Sequence, residues 1–219
     1  MYALCIHTIE ARKLCQDMCN GYNSCEMNAA QTRTANLLGA LALRLVDEMI
    51  GAITDVSELG DSASTALVAL ARKRKRPIEY LRRVLGLSHP ATVRLVDRLC
   101  EAGLVIRHSG PDGRTVTPVL TPAGLKGARA VARARAAVLE SMLKGLDQAS
   151  CAQVTRVLES ILEAAPKDQQ DAVNLCRLCD LSVCNRGARC PVDVGVAKKA
   201  NRTSIPKALQ KAQRRPSKG

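Results

Sequence analysis

Aromatic residues are nearly missing from this chain, which has no Phe and no Trp among its 219 residues and Tyr at only three positions. Proteins that bind single-stranded nucleic acid usually stack bases on aromatic side chains. The scarcity therefore argues against that function and favours duplex DNA over RNA or single strands as a nucleic-acid partner. It also means that the core must be built from aliphatic side chains.

Segments that would cross a membrane or target the chain to one are missing as well. The most apolar stretch, residues 37–53, is interrupted by Arg44, Asp47 and Glu48, whereas a membrane-spanning helix needs about 20 consecutive apolar residues. The N-terminus lacks the basic and then apolar pattern of a secretory signal. We therefore expect a soluble cytoplasmic protein.

Motifs of catalysis are missing too. The sequence has no phosphate-binding glycine loop, no zinc-hydrolase helix motif and no nucleophile elbow. His7, His89 and His108 have no evident catalytic partners. We predict that the protein is not an enzyme.

Positive charge, in contrast, is abundant: the formal net charge is +13 at pH 7. Such an excess indicates an anionic partner, with nucleic acid as the first candidate and a membrane surface as the other. Ten cysteines in a chain without a secretory signal point to metal binding or redox chemistry rather than to a disulfide scaffold.

Residues 77–101 have the pattern of a helix-turn-helix. Pro77 suits the first position of a helix, Gly86 ends that helix, and Ser88 can cap a second one. Such a second helix can present its N-terminal end to the major groove while its other face packs in the core. The residues that we predict on its outward face are Thr92, Arg94, Asp97, Arg98 and Glu101.

The next residues have the pattern of a wing. Residues 104–108 and 115–120 read as two strands around a loop that contains Pro, Gly and, near its tip, Arg114. An arginine on such a loop suits the narrow, electronegative minor groove, whereas an ordinary solvated hairpin is the weaker interpretation. Pro118 indicates an edge position for the second strand.

Four further helices are predicted around the helix-turn-helix and the wing, which together we call the DNA reader. They are residues 34–53 with Thr34 as N-cap, a helix that begins at Asp61 or Ser62 and continues toward Arg76, residues 121–145, and residues 150–165. The first and the last two have more apolar surface than one small domain can bury, which favours a homodimer that binds a palindromic operator. The five cations of residues 72–76 are either phosphate contacts or only a favourable helix C-terminus.

The segments LGLSHPATVRLVDRLCEAGLVIR, PDGRTV and LTPAG, in this order, resemble the recognition helix, the wing and the start of the long dimerisation helix of the MarR family of bacterial transcriptional regulators. The resemblance implies a mainly α fold (an α+β winged helix) with N- and C-terminal dimerisation helices over residues 34–166. It also implies a homodimer that represses genes and releases DNA on a small-molecule or thiol signal.

Carried over by position, the resemblance assigns DNA contacts to the outward residues of the recognition helix and to the wing. These residues are Ser88, His89, Ala91, Thr92, Arg94, Arg98 and Arg114, with Asp112 orienting Arg114. The peroxide-sensing branch of the family needs a reactive cysteine in the first dimerisation helix, and residues 35–53 have none. Cys100 and Cys151 are interpreted as buried structural thiols.

A four-cysteine module lies beyond the part that resembles the family. Within residues 174–194, Cys176, Cys179, Cys184 and Cys190 have the spacing C-x2-C-x4-C-x5-C. Four thiolates so close together suit a structural tetrahedral zinc, and Cys190-Pro191 keeps an iron–sulfur cluster as the alternative. Free or disulfide-paired cysteines are the remaining interpretation. The module would serve either as a clip that fixes the C-terminal segment, which we favour, or as a sensor of redox state or metal supply.

Both ends of the chain are predicted to lie outside the folded domain. Residues 1–33 read as a disordered leader or as the product of a wrong start before Met27, although Cys15 and Cys19 could share a helix face in a metal or redox site. Residues 195–219 read as a disordered basic tail that adds nonspecific DNA affinity or only solubility.

The leading hypothesis is therefore a homodimeric, sequence-specific regulator that binds double-stranded DNA, acts as a repressor, and is released by a small-molecule, metal or redox signal. The alternative is an iron–sulfur or thiol redox protein that transfers electrons through its C-terminal cysteines.

Overall fold

The computed structural model describes residues 28–57, 59–72, 76–109 and 116–204, with side chains up to residue 201. Predictions about residues 1–27, the wing tip with Asp112 and Arg114, and residues 205–219 lie outside the described residues. By its contacts the chain divides into two compact units, Met1–Val46 and Asp47–Gly219. Within the described ranges, no helix is long and apolar enough to cross a membrane.

Helix α1, Ala29–Thr54, begins earlier than predicted. Asn28 and Gln31 each accept the other's backbone N–H at 2.9 Å, which caps the helix start. Thr34 is not the N-cap, since its hydroxyl donates to the Ala30 carbonyl inside the helix. The prediction of a disordered leader is therefore wrong for residues 29–33. Most apolar side chains of α1 are exposed, among them Leu37, Leu38, Leu41, Leu43, Val46 and Ile50.

The helix-turn-helix and its support consist of α2, Asp61–Arg72, α3, Ile78–Leu85, and α4, His89–Glu101. α2 is described as far as Arg72, and residues 73–75, on the way to its predicted end at Arg76, lie outside the described residues. The buried aliphatic residues of the three helices form one core with the first strand and the following helix, as the scarcity of aromatic residues requires. The core includes Ala66, Leu67, Leu70, Leu81, Val84, Leu95, Val96, Leu99, Val105 and Ala128.

The wing is an antiparallel pair of strands, β1, Val105–Ser109, and β2, Val116–Leu120. Val105 pairs with Leu120 and Arg107 pairs with Pro118. Both strands agree with the sequence prediction to within one residue. The two described strands form a two-stranded sheet, in which each strand is an edge, so Pro118 costs no ladder hydrogen bond on its outer side.

Two long helices follow, α5, Pro122–Leu143, and α6, Gln148–Ala164, close to the predicted bounds. Thr121 caps α5 by accepting from the Gly124 amide at 3.0 Å, and Asp147 caps α6 by accepting from the Ser150 amide at 2.8 Å. α6 has no buried residue in this chain, and its apolar residues Val154, Val157, Leu158 and Ile161 are exposed.

The C-terminal part forms three more helices, α7, Gln169–Leu175, α8, Leu181–Cys184, and α9, Pro191–Ser204. α9 packs on α6: Lys198 pairs with Glu163, and Lys199 donates to the Ala164 carbonyl at 2.9 Å. Disorder was predicted from residue 195, and this is wrong for residues 195–204, because these contacts dock them on the preceding helix.

Candidate nucleic-acid interface and cysteine segment

The turn between α3 and α4 is formed by local capping interactions of residues that the sequence analysis identified. Gly86 has φ 65°, a left-handed conformation that glycine adopts without strain, and it closes α3 with a hydrogen bond to the Arg82 carbonyl. Ser88 accepts from the Ala91 amide at 3.4 Å and begins α4. Both features confirm the predicted helix-turn-helix and set the direction of α4.

Thr92 was predicted to face outward, and this is wrong. Its side chain is fully buried, and its hydroxyl donates to the Ser88 carbonyl at 2.9 Å. A threonine can satisfy its hydroxyl inside its own helix in this way, so burial carries no unsatisfied donor. Thr92 therefore supports the first turn of α4 and presents no group to a ligand.

The other predicted contact residues on α4 are accessible. Ser88, His89, Arg94 and Arg98 are exposed, and Ala91 is half-buried. Arg94 and Arg98 stand one helical turn apart and border an open depression of about 550 Å³ beside α4. Leu95 and Leu99, between and beyond them, are buried. The helix thus separates a cationic outer face from an aliphatic inner face.

Arg107 on β1 is a site residue that the sequence analysis did not single out. Its guanidinium pairs with the Asp97 carboxylate on α4. The pair offsets a negative charge on the cationic face and ties the wing to the second helix. A cation in the strand beside the wing loop is the sequence signal that was overlooked. The tip of the wing, with Asp112 and Arg114, lies outside the described residues.

Helix α7 forms hydrogen bonds with the C-terminal end of α3, a contact that the sequence did not indicate. Gln170 donates to the Arg83 carbonyl at 2.7 Å, and Asn174 donates to the Val84 carbonyl at 3.1 Å. These carbonyls belong to the last turn of α3, where helix carbonyls lack intrahelical partners. The two amide side chains therefore act as a C-terminal cap supplied from a distant part of the chain.

A carboxylate and two guanidiniums fix the surface of α3. Glu79 accepts from Arg82 at 2.7 Å and pairs with Arg83 at 3.3 Å. The hydrogen bond from Arg82, with help from Arg83, lowers the pKa of Glu79 to about 2. Arg83 is exposed, and Glu79 and Arg82 are partly exposed, so the pairs contribute orientation more than stability.

The four cysteines of the module lie in and around the turns between α7 and α9. Cys190 is buried in a small cluster with Ala172 and Val192, against which Cys176 also packs. Cys179 and Cys184 are half-buried. The hydrogen bond between the Cys176 and Cys179 thiols lowers the pKa of Cys179 to about 6 and raises the pKa of Cys176.

The thiols are neighbours without forming a ready-made metal site. Cys184 interacts electrostatically with Cys179 and Cys190, but across the described parts of the chain no three His, Cys, Asp or Glu side chains are already placed to hold a metal ion. The predicted module is therefore brought together as a segment, and its ligand set is not closed in this conformation.

Cys100 and Cys151 were predicted to be buried structural thiols, and each is only half-buried. Burial is the main cause that raises the pKa of Cys100, which keeps this thiol in its unreactive protonated form. The Cys151 thiol donates to the Leu146 carbonyl at 4.0 Å.

The helix pair α3 and α4, the two-stranded wing and the long flanking helices define a winged helix-turn-helix protein. The predicted mainly α fold class is therefore confirmed. Residues 57–115 match the model of the MarR family. This part of the chain is similar to that family, and the match ends before the four cysteines. A search of curated proteins finds no match.

Solved structures agree with this assignment of the fold. The protein is similar to YusO from Bacillus subtilis, with 19% identity, a TM-score of 0.55, and coverage of 64% of this chain and 100% of that chain. It is also similar to RV1404 from Mycobacterium tuberculosis, with 28% identity, a TM-score of 0.55, and coverage of 65% and 97%. A MarR family protein from Bacillus stearothermophilus has 22% identity, a TM-score of 0.55, and coverage of 62% and 95%.

Proposed function

We propose that this protein is a homodimeric transcriptional regulator that binds a palindromic operator in double-stranded DNA and acts as a repressor. The observation that carries the proposal is the two-faced α4. Its outer face presents His89, Arg94 and Arg98, whereas its inner face is buried in the core. A helix with this division can enter the major groove without exposing apolar side chains.

The charges around α4 suit a nucleic-acid backbone. Arg94 and Arg98 lie on the outer face, and the Asp97 carboxylate between them is paired with Arg107. A phosphate that approaches α4 therefore meets the guanidiniums of Arg94 and Arg98 on a face where Asp97 is offset by Arg107 and Glu101 is a second carboxylate. Together with the net charge of +13, this favours salt-sensitive binding to DNA.

The homodimer is supported by apolar surface that one chain does not cover. Val157 is 58% exposed, and Val154, Leu158 and Ile161 on the same helix are exposed as well. Leu143 and Leu146, at the junction of α5 and α6, are also exposed. A soluble protein rarely leaves such a patch open, and a two-fold partner would cover it while spacing two copies of α4 for two half-sites.

A small-molecule signal has a candidate site in the reader itself. A cavity of about 300 Å³ lies between α2, β2 and the start of α5, and Leu70, Leu120 and Leu125 are among its lining residues. Its size and apolar lining suit a small apolar molecule. Because it touches both the wing strand and α2, occupancy would change their relative position and so release DNA.

The proposal is tested by Arg94→Ala in full-length protein, with binding measured on a fragment of its own promoter region. Loss of a side chain that contacts DNA should cost about 1–3 kcal/mol, and loss of a phosphate contact should also reduce the salt slope by about one. Arg156→Ala, an exposed arginine on α6, is the matched control and should bind like the wild type.

Arg114→Ala tests the wing in the same assay. We expect weaker binding with an unchanged unfolding transition, since a wing arginine contributes contacts to DNA rather than to the core. Wild-type affinity for both the Arg94 and the Arg114 variant would refute the assignment of the DNA-binding face.

A further inference from the structure

We propose that Cys176, Cys179, Cys184 and Cys190 bind one zinc ion per chain, and that this zinc holds α7 in place behind the helix-turn-helix. The proposal of a metal site depends only on the cysteine segment and not on the proposed function. The effect of the site on DNA affinity rests in addition on the proposed function. The site would be structural, with four thiolate ligands and no open coordination position.

The donor set fits a tetrahedral zinc. Cys176 and Cys190 pack against the same small cluster from opposite ends of the segment. The Cys179 amide donates to the Cys176 carbonyl at 3.0 Å, and Cys184 interacts electrostatically with Cys179 and Cys190. Because these sulfur atoms are neighbours that do not yet surround a common point, binding requires residues 180–189 to close inward. That stretch contains the four-residue α8 and a left-handed turn at Gly187, and its described backbone hydrogen bonds are all local to it.

The surroundings contain a buried donor that such a site would satisfy. Arg72 donates from Nη1 to the carbonyls of Cys176 and Arg177, at 2.8 and 3.0 Å, but its Nε is buried without a hydrogen-bond partner. A buried unsatisfied donor is rare and calls for a physical explanation. A thiolate sulfur at Cys176 or Cys179 would accept from it.

The charge balance points the same way. Zinc with four thiolates carries a net charge of about −2, and Arg72, Arg135 and Arg177 all interact electrostatically with Cys179. Asp193 lines the adjoining cavity of about 140 Å³ together with Arg72, Cys176 and Cys190, and adds one negative charge. The guanidiniums are sufficient to offset the cluster and this carboxylate.

The site connects directly to the DNA reader. Cys176 follows α7, whose Gln170 and Asn174 cap the last carbonyls of α3. Asn174 also lies beside the turn, with its amide nitrogen 3.5 Å from the position that a Cβ on Gly86 would take. Zinc would fix the C-terminal end of α7, and α7 in turn would hold α3 and the turn that orients α4. Zinc loading is therefore expected to raise operator affinity by pre-organising the reader.

The metal site is tested by elemental analysis of the purified full chain. We expect about one zinc per chain, and less than a tenth of that in a variant with both Cys176→Ser and Cys190→Ser. Two control variants should keep their zinc: one with Cys100→Ser and Cys151→Ser, and one with the four N-terminal cysteines changed to Ser. Iron in place of zinc, no metal, or zinc that is lost with a control variant would overturn the proposal.

A second measurement uses the wild-type protein and remains valid if the double cysteine variant does not fold. Zinc is removed with a chelator, and zinc uptake is then titrated while helix content and operator affinity are followed. We expect uptake of about one equivalent and roughly tenfold weaker operator binding before uptake, since two capping hydrogen bonds are loosened. Asn174→Ala should retain zinc and also weaken binding.

The outcomes separate the two proposals. Equal affinity with and without zinc, in protein that binds one equivalent, would overturn the coupling between the metal site and the reader. Zinc-loaded protein that does not bind DNA at all would refute the proposed function, whereas the zinc count would still decide the metal site.

Discussion

Gly195→Ala is predicted to loosen the C-terminal segment from the winged-helix domain. Gly195 is buried where α9 crosses α6, and a Cβ added there would lie 2.0 Å from the Glu163 carbonyl oxygen and 2.9 Å from its carbon. Ordinary contacts of this kind are about 3.5 Å long, so the helices would have to separate by roughly 1.5 Å. Since the obstacle is backbone, no side-chain rotation can relieve it.

The expected magnitude follows from two opposing effects. Overpacking of a close contact costs about 1–3 kcal/mol, while replacing a helical glycine by alanine favours the helix by up to about 1 kcal/mol. The net loss is therefore about 1–2 kcal/mol for the docking of α9. Local opening of the segment should become about 5–30 times more frequent.

Limited digestion with trypsin measures this opening, because Lys198 and Lys199 become cleavable only when α9 leaves α6, where both now make contacts. Gly51→Ala is the matched control: it is also helical, and a Cβ there would meet nothing within 4 Å. The control should be cleaved no faster than the wild type. Cleavage of Gly195→Ala at the control rate would refute the close crossing of the two helices.

Two further predictions concern α6. Val157→Asp places a charge in the exposed apolar face of this helix and should convert the dimer to a monomer without unfolding it, as light scattering and circular dichroism will show; a dimer of wild-type stability would place the interface elsewhere. Asp147→Ala should lower the melting temperature at neutral pH and progressively less on acidification. Hydrogen bonds from Ser150 hold the pKa of Asp147 below its ordinary value of 3.8, so its stabilisation is present above that value and is lost as the pH falls through the folded-state pKa. A pH-independent difference between the two proteins would contradict this origin.

The reader could be located from the sequence because its boundaries are set by neighbouring residues. Gly86 closes α3, Ser88 caps α4 and Thr121 caps α5, each through hydrogen bonds that span no more than four residues within the cap. The alternation of apolar and charged residues then assigned the two faces of α4. Such features depend on local backbone geometry and helical periodicity, which a sequence states directly.

Helical periodicity predicted the wrong position where a polar side chain has its hydrogen-bond partner within its own helix. Thr92 looks like a surface residue by composition, yet its hydroxyl is satisfied by the Ser88 carbonyl, so its burial costs little. The start of α1 was misplaced for a similar reason, since Thr34 has a partner at Ala30 and the reciprocal cap lies at Asn28 and Gln31.

The sequence by itself determined the winged helix-turn-helix, the cationic face of α4 and the grouping of four cysteines in one short segment. Only the tertiary structure decided what that segment touches. Gln170 and Arg83 are 87 residues apart in the chain, and Arg72 and Cys176 are 104 apart. No local pattern specifies such pairs. They form because the carbonyls at the end of α3 and the guanidinium of Arg72 need hydrogen-bond partners when α7 packs against them. Only the folding of the whole chain determines which residues lie close enough to be those partners.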